Sequence, residues 1–231
     1  MQDSLSQWNN AAQWYDQNMG EKGDNLNAAI IRPVVLEMLG NVQNTSILDV
    51  GCGSGYLAAE LAQKAKRVTG VDFAPNFISL CKQKYKNRTN MEFYIQDIGQ
   101  PFNCDTESFD AIVCKMVLQY VPDIQPFATE VLRMMRPAGK LVIVIDHPFR
   151  AVYFSVLQNN SPHALQECFS DNPKTKIGLW GRTELTWYAR TVSRYVNTFI
   201  DSGFRLIEMR EPPAPADSPI PFSVLALKFI R

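Results

Sequence analysis

Apolar and polar positions alternate along this chain in two rhythms that take turns. Short β-branched and aliphatic runs at 47–50, 67–71, 91–95, 111–114 and 140–145 predict strands, each bounded by turn residues. Between them, apolar positions at helical spacing predict helices over 56–64, 76–85 and 127–135. Pro137, Ala138 and Gly139 break the last of these helices and turn the chain into the strand at 140–145. Strands alternating with helices point to an α/β fold with a doubly wound, mostly parallel sheet. Ahead of this region two helices are expected. Trp8, Ala11, Ala12 and Tyr15 share one helical face, and Ile30, Val34, Leu36 and Leu39 lie on a later one, with a Gly/Asp/Asn-rich loop at 19–25 between them.

The rhythm loosens from His147 to about Ala189, where stretches such as Asn-Asn-Ser-Pro and Leu-Trp-Gly-Arg intervene. This segment reads as an insertion over the carboxyl edge of the sheet, the edge at which open α/β sheets bind ligands. A helix at 191–201 and strands at 204–210 and 222–230 follow. With no internal repeat and no second boundary, the chain reads as a single domain. Its parts are an N-terminal helical lid (1–43), a core (44–146), a pocket-forming insertion (147–189) and a closing helix with two strands (190–231).

Composition narrows the classes. The 231 residues are 46% hydrophobic, enough for a sizeable core, and 23 basic residues balance 23 acidic ones. A polynucleotide binder would show a basic surplus, so nucleic acid is not an expected partner. The five cysteines, Cys52, Cys81, Cys104, Cys114 and Cys168, are scattered with no Cys-x-x-Cys pair, which favours neither a zinc site nor a disulfide framework. No metal is expected. The N-terminus lacks the basic start and apolar run of a signal peptide, and no apolar stretch would span a bilayer, so a cytoplasmic protein is the expectation.

The densest chemical signal is Ile47-Leu48-Asp49-Val50-Gly51-Cys52-Gly53-Ser54-Gly55. An apolar strand carrying a carboxylate runs into a glycine-dense turn, and a helical pattern begins at Tyr56. Glycines let backbone amides approach a ligand where a side chain would clash. The spacing differs from the dinucleotide fingerprint G-x-G-x-x-G, and a carboxylate just ahead of the turn would repel a pyrophosphate. It suits a ligand that presents an amine and an uncharged nucleoside. At the end of the second strand, Val71-Asp72-Phe73 places a carboxylate where it can accept from both hydroxyls of a ribose, or cap the helix that starts near Pro75.

These residues, with Gln96-Asp97-Ile98 after the third strand and Cys114-Lys115-Met116-Val117-Leu118-Gln119-Tyr120-Val121 after the fourth, form an ordered set. The set resembles the class I S-adenosylmethionine-dependent methyltransferases, and within them the small-molecule "type 11" group. The resemblance covers most of the chain. It implies a Rossmann-like sheet of seven strands whose last two form an antiparallel edge. It implies S-adenosylmethionine as cofactor and S-adenosylhomocysteine as product.

By the same resemblance Asp49 lies near the cofactor's amino group, while Gly51, Cys52 and Gly53 offer backbone to it. Asp72 reads the ribose, Phe73 packs on the adenine, and Asp97 reads the adenine amine with Gln96 and Ile98 beside it. Lys115 borders the methionine half, with its side chain either on the cofactor carboxylate or in solvent. Tyr15, on a helix that acts as a lid in relatives, either meets the methionine end or packs. Two departures stand out: Gln119 and Ala189 occupy positions where relatives often carry His.

The implied activity is methyl transfer to a small aromatic or apolar acceptor, at O or N before C, in secondary metabolism by family analogy. A base is needed only for a protonated acceptor. His147, with Tyr188 second, is the candidate, His being the usual near-neutral proton acceptor, or else His147 is a structural residue fixed by Pro148. Tyr15, Phe149, Tyr153, Phe154, Trp180, Trp187 and Tyr188 are candidates for an aromatic pocket, or equally for the core of the insertion. Two other readings stay open: a non-catalytic protein that binds the cofactor as a sensor or partner, and a nicotinamide-dependent reductase. The second lacks both G-x-G-x-x-G and a Ser-Tyr-x-x-x-Lys set.

Overall fold

A computed structural model describes residues 2–149, 174–179, 183–216 and 222–231. Nine strands are seen among them: β1 (Ser46–Val50), β2 (Arg67–Asp72), β3 (Met91–Ile95), β4 (Phe109–Lys115), β5 (Met135–Asp146), β6 (Lys174–Leu179), β7 (Thr183–Tyr188), β8 (Arg205–Arg210) and β9 (Val224–Ile230). Seven of them form one sheet in the order β3-β2-β1-β4-β5-β9-β8. β1 to β5 run parallel to one another, while β9 is antiparallel to both β5 and β8. The α/β fold with a mostly parallel sheet is thus as the residues and the resemblance imply.

The central strands are buried on both faces, which is why they read as unbroken apolar runs. Successive side chains on a strand point to opposite faces. Ile47, Ala111, Val113, Val142 and Val144 accordingly enter one core, packed with helices α2 (Arg32–Leu39), α3 (Tyr56–Leu61) and α4 (Pro75–Lys84). Leu48, Ile112, Cys114, Leu141 and Ile143 enter the other, packed with α5 (Gln125–Met134) and α6 (Val192–Asp201). Phe199 of α6 meets the rings of Phe127, Phe204 and Phe229 there, with centroids 5.2–6.3 Å apart.

Three elements differ from the sequence expectation. Pro137-Ala138-Gly139 does not precede the fifth strand. It lies inside β5 as an irregularity, with Ala138 at φ 60° and a register shift opposite Phe109 and Ala111. The helix expected over 56–64 ends at Leu61, its last residues closing as turns. Within the loosely patterned insertion, β6 and β7 pair antiparallel as a separate two-stranded sheet.

The N-terminal helix α1 (Gln2–Met19) lies across α4 and reaches β7. Asn76, at the start of α4, fastens it: its backbone N–H donates to Asn9 Oδ1 (2.8 Å) and its amide to the Asn9 carbonyl (2.9 Å). Lys84 pairs with Asp16 at 2.8 Å further along. A π-helical turn, Asn27–Ile31, then leads into α2.

Candidate active site

The chain leaves β1 toward β2 on one side, and β4 lies on the other. Between the carboxyl ends of β1 and β4 a crevice therefore opens, the switch point at which such sheets bind ligands. A cavity of about 460 Å³ occupies it. Its floor comes from the ends of four strands: Gly51, Cys52 and Gly53 after β1, Asp72 and Phe73 after β2, Gln96, Asp97 and Ile98 after β3, and Lys115, Met116 and Val117 after β4. Helix α1 roofs it with Ser4, Leu5, Trp8 and Tyr15, four residues on one helical face. Thr186 and Tyr188 of β7 close one side, beside Tyr120, Val121 and Pro122.

The glycine loop is shaped by backbone sterics. Gly51 sits at φ 66°, and a Cβ there would collide with Val117 Cγ2. Gly53, at φ 52°, passes beneath Tyr15. Its N–H donates to Asp72 Oδ2 at 3.0 Å, while Asp72 Oδ1 accepts from the Ala74 N–H at 3.0 Å. Asp72 therefore organises both loops while lining the cavity. Each oxygen keeps acceptor capacity beyond its one backbone bond. The carboxyl is almost wholly buried, and that burial pushes its pKa up to about 6 against the pull of the backbone donors.

Asp49 lies within β1, 1% exposed, and does not line the cavity. Its Oδ2 has no hydrogen-bond partner. Burial raises its pKa to about 7, opposed by the positive charge of Lys115. Lys115 is itself 7% exposed: its Nζ donates to Asn27 Oδ1 (3.3 Å) and stands 4.9 Å from the Tyr56 ring centroid. The Tyr56 hydroxyl donates to the same Asn27 oxygen at 2.7 Å, and the Asn27 amide donates to Asp24 at 2.9 Å.

At the β3 end, Gln96 lines the cavity, yet its amide donates to the carbonyls of Asp97, Gln100 and Pro101 and so holds the loop. Asp97 Oδ1 accepts from the Gly99 N–H at 2.9 Å, and Ile98 is buried beside it. Cys52 lines the floor, its thiol pushed well up by the adjacent Cys81 thiol and by burial.

On the opposite side, Arg190 holds the wall. Its guanidinium donates to the carbonyls of Leu118 (3.0 Å), Pro122 (2.9 Å) and Val121, and stands 5.7 Å from the ring centroids of both Tyr188 and Tyr195. The loop carrying Tyr120 is thereby tied to β7.

All the expected cofactor residues but Asp49 line this one cavity. Among the aromatic candidates, Tyr15 and Tyr188 line it too. Trp187 does not: alternation along β7 sends Leu185 and Trp187 into the interior and Thr186 and Tyr188 to the cavity. Phe149 is 46% exposed and away from it. Tyr153, Phe154 and Trp180 fall outside the described residues.

The surroundings of His147 suit the structural one of its two expected roles. It is not among the residues lining the cavity, and both ring nitrogens are engaged: Nδ1 accepts from the Phe149 N–H (3.1 Å) and Nε2 faces Glu211 Oε1 (2.8 Å). With Nδ1 accepting, the proton sits on Nε2 and points to Glu211, leaving no lone pair for an acceptor. Trp8, Tyr120 and Asn27 were not singled out as site residues. Trp8, from the lid-helix face, and Tyr120, from the motif after β4, meet edge-on with ring centroids 5.4 Å apart, and both line the cavity. Among the described residues no cluster of His, Cys, Asp and Glu fit to hold a metal is found, and no helix is long and apolar enough to cross a membrane.

Comparison with known proteins points to methyltransferases. Residues 48–143, from β1 through most of β5, match the family model of a methyltransferase domain. A ubiquinone biosynthesis O-methyltransferase of Coxiella burnetii is 32% identical over 133 residues, covering 55% of this chain and 56% of that protein. A demethylmenaquinone methyltransferase of Tropheryma whipplei is 32% identical over 122 residues, 52% of this chain and 50% of that one. The chain thus spans about half the length of the curated relatives it matches. Among solved structures, an S-adenosylmethionine-dependent methyltransferase of Mesorhizobium loti superposes with TM-score 0.70 at 20% identity, covering 90% of this chain and all of that one.

Proposed function

We propose that the methyltransferase domain recognised over residues 48–143 serves an enzyme that transfers a methyl group from S-adenosylmethionine to a small acceptor with an aromatic or apolar body, at oxygen or nitrogen. One observation carries the reading. The four strand ends bring the glycine loop, the Asp72 carboxylate and the Gln96–Ile98 loop to one cavity, an arrangement that suits a nucleoside with its ribose on Asp72 and its base beside Asp97.

The residues present fit this cofactor. Asp49, buried just behind the cavity lining, keeps Oδ2 without a partner, and its carboxylate would favour an ammonium group at the glycine loop. The free lone pairs of Asp72 suit the two ribose hydroxyls. Phe73 and Ile98, both lining the cavity, would give the adenine apolar surface, and Asp97, which lines it too, would accept from the exocyclic amine. Gly51 and Gly53 admit the sulfur-bearing chain without a side chain in its way.

When bound, the cofactor supplies a methyl already activated by its sulfonium, so alignment of the acceptor in line with the C–S bond does much of the work. Trp8, Tyr15, Tyr120 and Tyr188 form the aromatic wall that would orient a flat acceptor and exclude water. Tyr188 is the hydroxyl in that wall available to relay an acceptor proton, since His147 is committed elsewhere. The curated relatives' names concern quinone biosynthesis, which favours hydroxylated rings as the first acceptors to try.

The test is incubation with S-adenosylmethionine and a panel of phenols, catechols and quinols, read as S-adenosylhomocysteine formed and methylated product by mass spectrometry. Turnover of one class above the acceptor-free rate is expected. Cofactor binding with no turnover across oxygen and nitrogen nucleophiles would contradict the enzyme and leave a sensor.

A further inference from the structure

The aromatic rings in and around the cavity differ in what they already hold. Tyr56 has the Lys115 ammonium 4.9 Å from its ring centroid, and Tyr188 has the Arg190 guanidinium at 5.7 Å. Both rings are spent on cations that the chain itself supplies. Trp8 is not. Among the described residues it meets no cation, and its ring contacts are with Tyr15, at 6.3 Å and 72° between planes, and with Tyr120, at 5.4 Å and 74°. Indole is the strongest cation binder of the aromatic side chains.

The three rings make the corners of a box and not a stack. Trp8 stands nearly perpendicular to each of its two neighbours, and all three line the cavity. Tyr15 lies over Gly53 in the glycine loop, while Tyr120 belongs to the loop that Arg190 ties to β7. The box therefore runs from the loop that would carry the methyl donor to the wall that would carry the acceptor. The charge around it leans negative. Among the described lining residues two carboxylates, Asp72 and Asp97, stand against one cation, and that cation, Lys115, is turned to Asn27 and Tyr56.

We infer that Trp8, boxed by Tyr15 and Tyr120, makes the cavity selective for an acceptor that presents a tertiary amine on its aromatic body, and that the product is a quaternary ammonium. This rests on the methyl-transfer reading above and narrows its acceptor. In the step the nitrogen lone pair forms a bond to the methyl carbon, and the C–S bond breaks with its electron pair going to sulfur. The positive charge thereby passes from sulfonium to ammonium, and ring faces stabilise it without a counter-ion. A tertiary amine gives up no proton, so the step asks nothing of His147, whose Nε2 faces Glu211. A phenol would use the same rings as apolar surface alone.

One ring can carry both competing nucleophiles. In meta-dimethylaminophenol a tertiary amine and a hydroxyl share one benzene ring, and the two methylated products separate because one bears a fixed charge. Wild type with S-adenosylmethionine should form mainly the trimethylammonium product. In calorimetry with S-adenosylhomocysteine bound, wild type should hold meta-trimethylammoniophenol roughly 5- to 30-fold tighter than its uncharged isostere, meta-tert-butylphenol. Trp8→Leu should lose most of that preference and Trp8→Phe should keep part of it, with thermal melts showing that both variants are folded. Formation of the methyl ether alone, or equal affinity of wild type for the two isosteres, would overturn the assignment while leaving a methyltransferase. So would a Trp8→Leu variant that keeps the ammonium preference but loses affinity for S-adenosylmethionine relative to S-adenosylhomocysteine, which would put the cation of the box on the cofactor. If wild type binds no S-adenosylhomocysteine, the cofactor reading itself falls and the assignment with it.

Discussion

Gly53 donates its backbone N–H to Asp72 Oδ2 across 3.0 Å, so the glycine loop after β1 and the end of β2 are fixed to each other before any ligand arrives. In the proposed reading Asp72 also accepts from the ribose, and the two roles can be separated by mutation. Asp72→Ala removes the loop fastening together with the ribose acceptor, and S-adenosylhomocysteine affinity should fall by about 100-fold or more, as expected for two lost charge-assisted bonds. Asp72→Asn keeps one carbonyl acceptor and should lose about tenfold. Calorimetry on the two variants checks the ranking. Equal affinity in Asp72→Ala and wild type would show that Asp72 is only a loop brace.

Gly51 tests the steric argument. At φ 66° an alanine is strained by about 1 kcal/mol, and its Cβ meets Val117 as well. Gly51→Ala should lower the melting temperature and weaken S-adenosylhomocysteine by more than about tenfold, since a displaced Val117 lies in the cavity floor. Val117→Ala in the same chain removes the obstructing methyls and should restore part of both losses. Thermal melts and titrations on the single and double variants read this directly.

Cofactor affinity should depend on pH through Asp49 and Asp72. Their pKa values, about 7 and about 6 in the folded protein, lie above the roughly 4 of an unfolded carboxylate. Between about pH 4 and pH 7 the folded chain without ligand therefore holds protons the unfolded chain has released, and its stability falls as pH rises through that window. In the proposed reading a ligand that bears an ammonium favours the ionised form of Asp49, so its affinity moves the other way. S-adenosylhomocysteine should bind at least about tenfold more weakly at pH 6 than at pH 8. Asp49→Asn should bind weakly at both and show a flatter profile. A wild-type affinity constant across this range would remove Asp49 from the site.

Arg190 should hold the acceptor wall without touching the cofactor. Its guanidinium serves three carbonyls of the 118–122 loop, a fork that lysine cannot reproduce. Arg190→Lys is expected to speed amide exchange across residues 118–122 and in β7 by about tenfold or more, while S-adenosylhomocysteine affinity stays within a fewfold of wild type. Exchange measured by mass spectrometry decides it. An unchanged pattern would mean that the wall stands without Arg190.

Much of the fold was legible because the core strands are short, apolar and punctuated by turns, so that Ile47-Leu48 or Leu141-Val142-Ile143 admit no other reading. The Asp49-to-Gly55 motif and Asp72 announced a cavity at the strand ends because glycine and a carboxylate in that order serve few other purposes. What escaped was set by direction in space. Trp187 and Tyr188 look alike in sequence, but the pleat of β7 sends one into the interior and the other to the cavity. His147 carried the expected chemistry at the expected edge, yet Glu211, distant in sequence, claims its Nε2. Asn27 gave no signal, because the π-helical turn that buries it against Tyr56 is one that no periodicity reveals.

Calorimetric titration of the wild-type chain with S-adenosylhomocysteine at pH 8 tests the central claim most directly. The geometry calls for saturable binding of one molecule per chain in the micromolar range, abolished or nearly so by Asp72→Ala. No heat of binding with a folded wild-type protein, or binding that Asp72→Ala leaves intact, would contradict the assignment of this cavity to the methyl donor.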